Sequence, residues 1–145
     1  MGIADVPSPD QIGVVIVDHG SRRDRSNRTL LEIVAMFERQ SRFSIVEAAH
    51  MELAEPSIET AFGRCVQRGA RLILVHPCFV LPGRHWNHDI PALAARAARR
   101  AGGVPFLVTE PLGCHPLLAR IIDDRITQCL EHAATDGMSR EGPGG

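Results

Sequence analysis

In the segment IGVVIVDHGSRR, residues 12–23, a run of apolar, mostly β-branched residues ends at a polar turn. An apolar run without alternation is typical of a strand buried on both faces of a parallel sheet. The next residues, SNRTLLEIVAMFERQ at 26–40, repeat apolar side chains at helical spacing. A strand followed directly by a helix is the unit from which parallel α/β sheets are built.

Three further strand and helix pairs follow along the chain. The patterns predict strands at 43–53, 70–81 and 104–113, and helices at 55–69, 89–103 and 115–133. Asp89 is the expected N-cap of the third helix, with Pro91 in its first turn. The third strand lacks alternation, which predicts burial on both faces. We therefore expect a three-layer α/β fold, in which helices flank both faces of a four-stranded parallel sheet.

Length and composition indicate one domain. The chain has 145 residues, of which 44% are hydrophobic, enough for one ordinary core. We expect residues 1–132 to form a single domain in which 1–11 are a flexible lead. The polar residues 133–145 have little to bury and are expected to form a disordered tail.

Charge and targeting signals exclude several classes of partner. The net charge of −1 gives no support for binding nucleic acid. No stretch is long enough to span a membrane, and the amino terminus lacks the pattern of a secretory signal, so we expect no membrane partner. The sequence thus predicts a cytoplasmic protein, or a plastid stromal one if a transit peptide preceded this numbering.

Several common catalytic motifs are absent. The chain contains neither G-x-x-x-x-G-K-[ST] nor G-x-G-x-x-G, so the use of ATP or a dinucleotide is not indicated. The nucleophilic motif G-x-S-x-G is also missing. A histidine phosphatase would carry Arg directly before His19, where this chain has Asp18.

The cysteines do not suggest a metal or disulfide framework. Cys65, Cys78, Cys114 and Cys129 form no Cys-x-x-Cys pair, which argues against a zinc ribbon. We expect them to be reduced and mostly buried.

Unusual polar residues collect where the predicted strands end. In open parallel sheets, ligands bind outside the carboxyl ends of the strands. Those ends carry His19 after the first strand, His50 and Glu52 after the second, Arg84, His85 and His88 after the third, and Cys114 and His115 after the fourth.

Each candidate has a structural alternative. His19 could simply satisfy the turn that begins the first helix. His50 and Glu52 are expected on the same side by alternation, as a proton or metal site, although His50 could equally be a core histidine. His85 and His88 could form a metal pair, but one functional residue beside a solvated neighbour is commoner, and we favour His85.

Four arginines follow His19 within a short distance. Arg22, Arg23, Arg25 and Arg28 could form a solvated helix face. Their position at the mouth of the same sheet edge favours recognition of an anionic substrate.

Four blocks in order resemble the short-form sirohydrochlorin chelatase family, and most closely its plant-type ferrochelatases. They are VDHGSRRDRSN at 17–27, VEAAHMELAEPSI at 46–58, HPCFVLPGRHWNHDIP at 76–91 and EPLGCHP at 110–116. The resemblance covers the chain from about Gly13 to His132, and it implies a chelatase α/β fold in a homodimer.

The resemblance implies three catalytic residues. His19 matches the family's His-Gly-Ser block, Glu52 its Glu-Leu-x-x-Pro block and His85 its Gly-x-His block, and all three would contact the metal. Successive members are 33 residues apart, about one strand and helix unit. Ser21, Arg22, Arg23 and Arg84 would bind the substrate.

The implied reaction is ATP-independent insertion of a divalent metal, with Fe²⁺ favoured, into sirohydrochlorin to give sirohaem. Cobalt insertion for cobalamin synthesis stays open, as does a non-catalytic carrier of metal or tetrapyrrole. The metal is a substrate, and no permanently bound cofactor is expected. Plant-type members carry a cysteine-rich extension for an iron–sulfur cluster; no cysteine follows Cys129 here, so we predict no cluster. The plant-type resemblance in AHMEL implies that His50 is an extra ligand or a residue that orients Glu52, and we favour the second role over a plain core histidine. The sequence assigns no definite role to His88 or His115.

Overall fold

The computed structural model describes residues 5–81, 83 and 86–136, with the backbone alone for residues 86 and 87. The chain divides into two compact units, and the boundary falls between Gly113 and Cys114. The first unit holds a sheet and three helices, and the second holds the last helix. In the part of the chain that is described, no helix is both long and apolar enough to cross a membrane.

The first unit contains one four-stranded sheet in which every strand pair is parallel. After a short 3-10 turn at Pro9–Gln11, its elements are β1 (Ile12–Asp18), α1 (Asp24–Gln40), β2 (Ile45–His50), α2 (Ile58–Gln67), β3 (Leu72–Pro77), α3 (Trp86–Arg100) and β4 (Phe106–Val108). The spatial order of the strands is β2-β1-β3-β4. This arrangement confirms the predicted four-stranded parallel sheet.

Helices cover both faces of the sheet. Alternate residues of β1 face opposite layers, as a strand requires. On one face α1 packs through Leu30 and Val34. On the other, α2 and α3 pack through residues that include Phe62 and Ile90. The three-layer α/β prediction is therefore confirmed, and both apolar faces of β1 are buried.

Among the residues whose burial is described, Phe62 has the largest fully buried side chain. Replacing it with alanine is expected to lower the free energy of unfolding by about 3–5 kcal/mol, because the truncation removes contacts and leaves a cavity. Val6→Ala, a truncation at a 70% exposed position, is the matched control and should change stability by less than about 0.5 kcal/mol. Urea unfolding followed by circular dichroism measures both; equal stabilities would contradict this description of the core.

Several predicted elements differ from the structure. Helix α3 begins at Trp86, so Asp89 lies in its first turn rather than at the N-cap, and Pro91 lies inside the helix. Strand β4 spans three residues instead of ten. Strand β3 is not buried on both faces throughout, because Leu74 and His76 are half-buried.

The second unit consists mainly of α4 (Pro116–Thr135). The ring of His115 caps this helix, since its Nδ1 accepts a hydrogen bond from the Leu117 amide at 3.1 Å. The helix runs three residues past His132, so residues 133–135 of the predicted tail are helical; residues 137–145 lie outside the described range.

The four cysteines differ in how far they are buried. Cys65 is buried, and this burial raises the pKa of its thiol to about 12. Cys78 is half-buried. Cys114 and Cys129 are exposed, so the expectation that the cysteines are mostly buried was wrong for these two.

An apolar groove of about 470 Å³ lies beside α1, on the face of the sheet. Its lining is largely aliphatic and aromatic, and includes Val14, Phe37 and Leu74. The polar side chains among its described lining residues are those of Gln40, His76 and Thr109, and this lining has no guanidinium group to bind an anionic substrate through paired hydrogen bonds. The chemistry is therefore to be sought at the carboxyl edge of the sheet.

Candidate active site

The hydrogen bonds between β1 and β2 continue past the ends of both strands. The Met51 amide donates to the Asp18 carbonyl at 2.9 Å, and the Glu52 amide donates to the His19 carbonyl at 3.1 Å. Because of this extension, the backbones of His19 and Glu52 lie side by side at the carboxyl edge. The structure thus brings together two of the three predicted catalytic residues.

Gly20 allows this close approach. Its φ of +84° lies in the left-handed region, which disfavours side chains. A Cβ at this position would lie 1.8 Å from the backbone oxygen of Glu52, so any side chain would push the two segments apart. The close contact between the two backbone segments therefore requires glycine at position 20.

Asn27 holds the turn that follows. Its Oδ1 accepts from the Ser21 amide at 3.0 Å, and its Nδ2 donates to the Ser21 carbonyl at 2.8 Å. Ser21 Oγ accepts a further bond from the Arg23 amide at 3.0 Å. Arg22 and Arg23 are both exposed, immediately before α1. The serine hydroxyl shapes the turn, while the arginine side chains lie in reach of solvent.

His19 is exposed, but its ring stacks on an aromatic side chain. Its imidazole stacks on Phe79, which follows β3, with ring centroids 5.5 Å apart and an angle of 25° between the planes. Partial burial lowers the pKa of His19, although the charges of Asp18 and Glu52 act to raise it. A lowered pKa favours the neutral imidazole near pH 7, which is the form that binds metals and accepts protons.

His50 has a partner that the sequence did not predict. The ring is 1% exposed, and its Nδ1 lies 2.6 Å from Oδ1 of Asp18. The expected neighbour was Glu52, on the assumption that strand alternation continued to it. Strand β2 ends at His50, so that assumption was wrong.

The other predicted residues are divided between three places. Arg84 and His85 lie outside the described residues. His88 is exposed on α3. His115 caps α4 in the second unit. Among the described residues, no group of three His, Cys, Asp or Glu side chains is arranged to hold a metal.

Sequence reasoning missed three residues that support the turn and the His19 ring: Asp18, Asn27 and Phe79. Asp18 and Asn27 are part of the block at 17–27, so their proximity to His19 along the chain was an available signal. Phe79 carried no such signal, because only the fold brings the residue after β3 next to the residue after β1.

Comparisons with known proteins agree on one family. The CbiX family model matches residues 13–129. A chloroplastic sirohydrochlorin ferrochelatase of Arabidopsis thaliana is 54% identical over 127 residues, which cover 88% of this chain and 56% of that protein. A sirohydrochlorin cobaltochelatase of Sulfolobus acidocaldarius is 30% identical, with 90% of this chain and 96% of that protein covered.

A solved structure has the same fold. The sirohydrochlorin chelatase SirB from Bacillus subtilis subspecies spizizenii, in complex with cobalt, superposes with a TM-score of 0.75 at 30% identity. The match covers 81% of this chain and 50% of SirB. The chain thus spans about half the length of the Arabidopsis and Bacillus proteins.

Proposed function

Because the chain belongs to the CbiX family, we propose that it inserts Fe²⁺ into sirohydrochlorin without using ATP. The observation that carries this proposal is the pairing of His19 with Glu52, joined by a 3.1 Å backbone hydrogen bond at the carboxyl edge. This is the edge where a parallel sheet binds its ligands. The 54% identity with the Arabidopsis ferrochelatase supports the choice of macrocycle and metal.

The three proposed catalytic residues suit a reaction in which one divalent ion replaces two protons. A divalent ion that enters the macrocycle displaces two pyrrolic protons, so the site must hold a cation and then accept protons. The neutral imidazole of His19 is a good ligand for Fe²⁺ or Co²⁺ and a proton acceptor near pH 7. Glu52 supplies negative charge beside it. His85, which the resemblance adds as a second ligand, completes the catalytic trio.

The substrate's rim of carboxylates accounts for the basic residues. Arg22 and Arg23 are exposed and lie between His19 and the first residue of α1. An arginine binds a carboxylate through two parallel hydrogen bonds, which fix its orientation as well as its position. Arg84 has the same role by resemblance. Ser21 contributes by shaping the turn from which these arginines project.

The relatives also favour a second candidate, insertion of cobalt. The S. acidocaldarius relative is a cobaltochelatase, and SirB was solved with cobalt. Imidazole and carboxylate ligands accept either ion, so the same residues serve both reactions.

Assembly and compartment are further parts of the proposal. We infer a homodimer, as the resemblance to the short-form enzymes implies. The compartment is a plastid stroma, as for the chloroplastic Arabidopsis protein, or a bacterial cytoplasm.

An anaerobic assay tests the proposal. Purified protein is mixed with sirohydrochlorin and either Fe²⁺ or Co²⁺, without ATP, and the absorbance of the macrocycle is followed. We expect insertion faster than in the protein-free control, with a higher kcat/KM for Fe²⁺. A higher value for Co²⁺ would select the cobaltochelatase, and no rate above the control with either ion would overturn the proposal.

A further inference from the structure

The half-buried Asp18 and the buried His50 form a polar pair that has no part in the roles described above. Oδ1 of Asp18 accepts the Gly20 amide at 3.0 Å and also lies 2.6 Å from Nδ1 of His50. The imidazole is almost completely buried, and burial of a polar ring is costly unless it is hydrogen-bonded. The short contact and the burial indicate a pair that holds a single geometry.

The pair lies on the opposite face of the sheet from His19. Strand register places Asp18 directly beside His50. Alternation along β1 puts Asp18 on the same face as Ile16, which packs in the cluster with α1. His19 follows the end of β1 and stacks on Phe79, which packs against the cluster formed with α2 and α3 on the other face. A ligand bound at His19 therefore lies on the opposite face of the sheet from the side chains of Asp18 and His50. These side chains can affect the ligand only through other residues.

Backbone bonds provide that connection. Asp18 holds the Gly20 amide through its side chain and the Met51 amide through its carbonyl, at 3.0 and 2.9 Å. The His50 amide donates to the carbonyl of Pro56 at 2.7 Å, which fixes the far end of the loop that carries Glu52. The Asp18 side chain thus holds the turn after β1, and the backbones of Asp18 and His50 hold the loop after β2. The contact between the two side chains joins these segments.

We propose that Asp18 and His50 are positioning residues that fix the separation between His19 and Glu52 for metal insertion. This inference rests on the proposed function and deepens it. Replacement of residues that orient metal ligands typically costs about 10–100-fold in metal affinity or activity. A histidine that merely fills the core would have no such effect when replaced by an apolar residue of similar volume.

Two substitutions at one position separate these roles. His50→Leu fills the site but cannot donate to Asp18, whereas His50→Asn places a side-chain N–H close to the original Nδ1. We expect His50→Leu to lower kcat by about 10–100-fold while the KM for sirohydrochlorin changes by less than about threefold. His50→Asn should recover most of the loss, and Asp18→Ala combined with His50→Leu should cost no more than the larger single effect.

Co²⁺ binding provides a readout that does not depend on turnover. The macrocycle-free protein is titrated with Co²⁺, and binding is monitored by the visible absorption of the ion. We expect the affinity for Co²⁺ to be weakened by about 10–100-fold in His50→Leu and largely restored in His50→Asn. If the wild type inserts metal and folded His50→Leu matches it in kcat and Co²⁺ affinity, the positioning role is wrong. If the wild type inserts neither metal but the affinity difference appears, the proposed function fails while the positioning role stands.

Discussion

Replacing His19 with alanine is expected to lower the kcat for iron insertion by about 10²–10⁴-fold, the range for loss of a positioned proton acceptor. The imidazole is the metal ligand and proton acceptor of the proposed reaction, and its lowered pKa keeps it neutral near pH 7. The side chain is exposed, so its removal leaves no cavity in the core. Steady-state kinetics of the folded variant measures the effect.

His132→Ala is the matched control for this variant. His132 is also an exposed histidine, but it lies near the end of α4 in the second unit, where its Nδ1 contacts the carbonyl of Gln128. We expect its kinetics to equal those of the wild type. A kcat for His19→Ala within about threefold of the wild-type value would remove His19 from the mechanism.

Gly20→Ala is also expected to impair insertion, because it displaces the backbone rather than removing a metal ligand. The new Cβ would overlap the Glu52 carbonyl at 1.8 Å, and the backbone of residue 20 would have to hold φ near +84° with a side chain attached. Strain of that backbone type costs about 1–3 kcal/mol, and relief of the overlap separates His19 from Glu52. We expect kcat to fall by at least about 100-fold, since small displacements of reacting groups cost that much.

Gly63→Ala is the matched control for replacing a glycine with alanine. Gly63 lies in α2, and a Cβ there would meet no atom within 4 Å. Alanine favours a helix over glycine by about 1 kcal/mol, so this variant should be fully active and slightly more stable. Thermal unfolding of both variants separates loss of activity from loss of fold. A Gly20→Ala protein with wild-type kcat would show that the close backbone contact is not needed.

The sequence was most informative where local pattern and tertiary context agree. The unbroken apolar run of β1 predicts burial on both faces, and the helical spacing after it predicts α1. Both appear, and among the described residues His19, His50 and Glu52 lie at the carboxyl ends of β1 and β2. His19 and Glu52 could therefore be predicted as neighbours, because parallel strands end at a common edge.

The sequence was least informative where a boundary depends on tertiary contacts. Pro91 favours the first turn of a helix, yet α3 begins five residues before it, and a single local preference does not fix a boundary. The partner of His50 was missed for a related reason. Its prediction extended strand alternation past the end of β2, whereas the cross-strand register determined the actual contact with Asp18.

The number of metallated macrocycles that each protein chain produces decides whether this edge of the sheet is catalytic. Under anaerobic conditions with excess Fe²⁺ and sirohydrochlorin, we expect many product molecules per wild-type chain and a rate near the protein-free control for His19→Ala. Product that stops at one molecule per chain or fewer would contradict catalysis at this edge of the sheet and indicate a carrier of metal or tetrapyrrole instead.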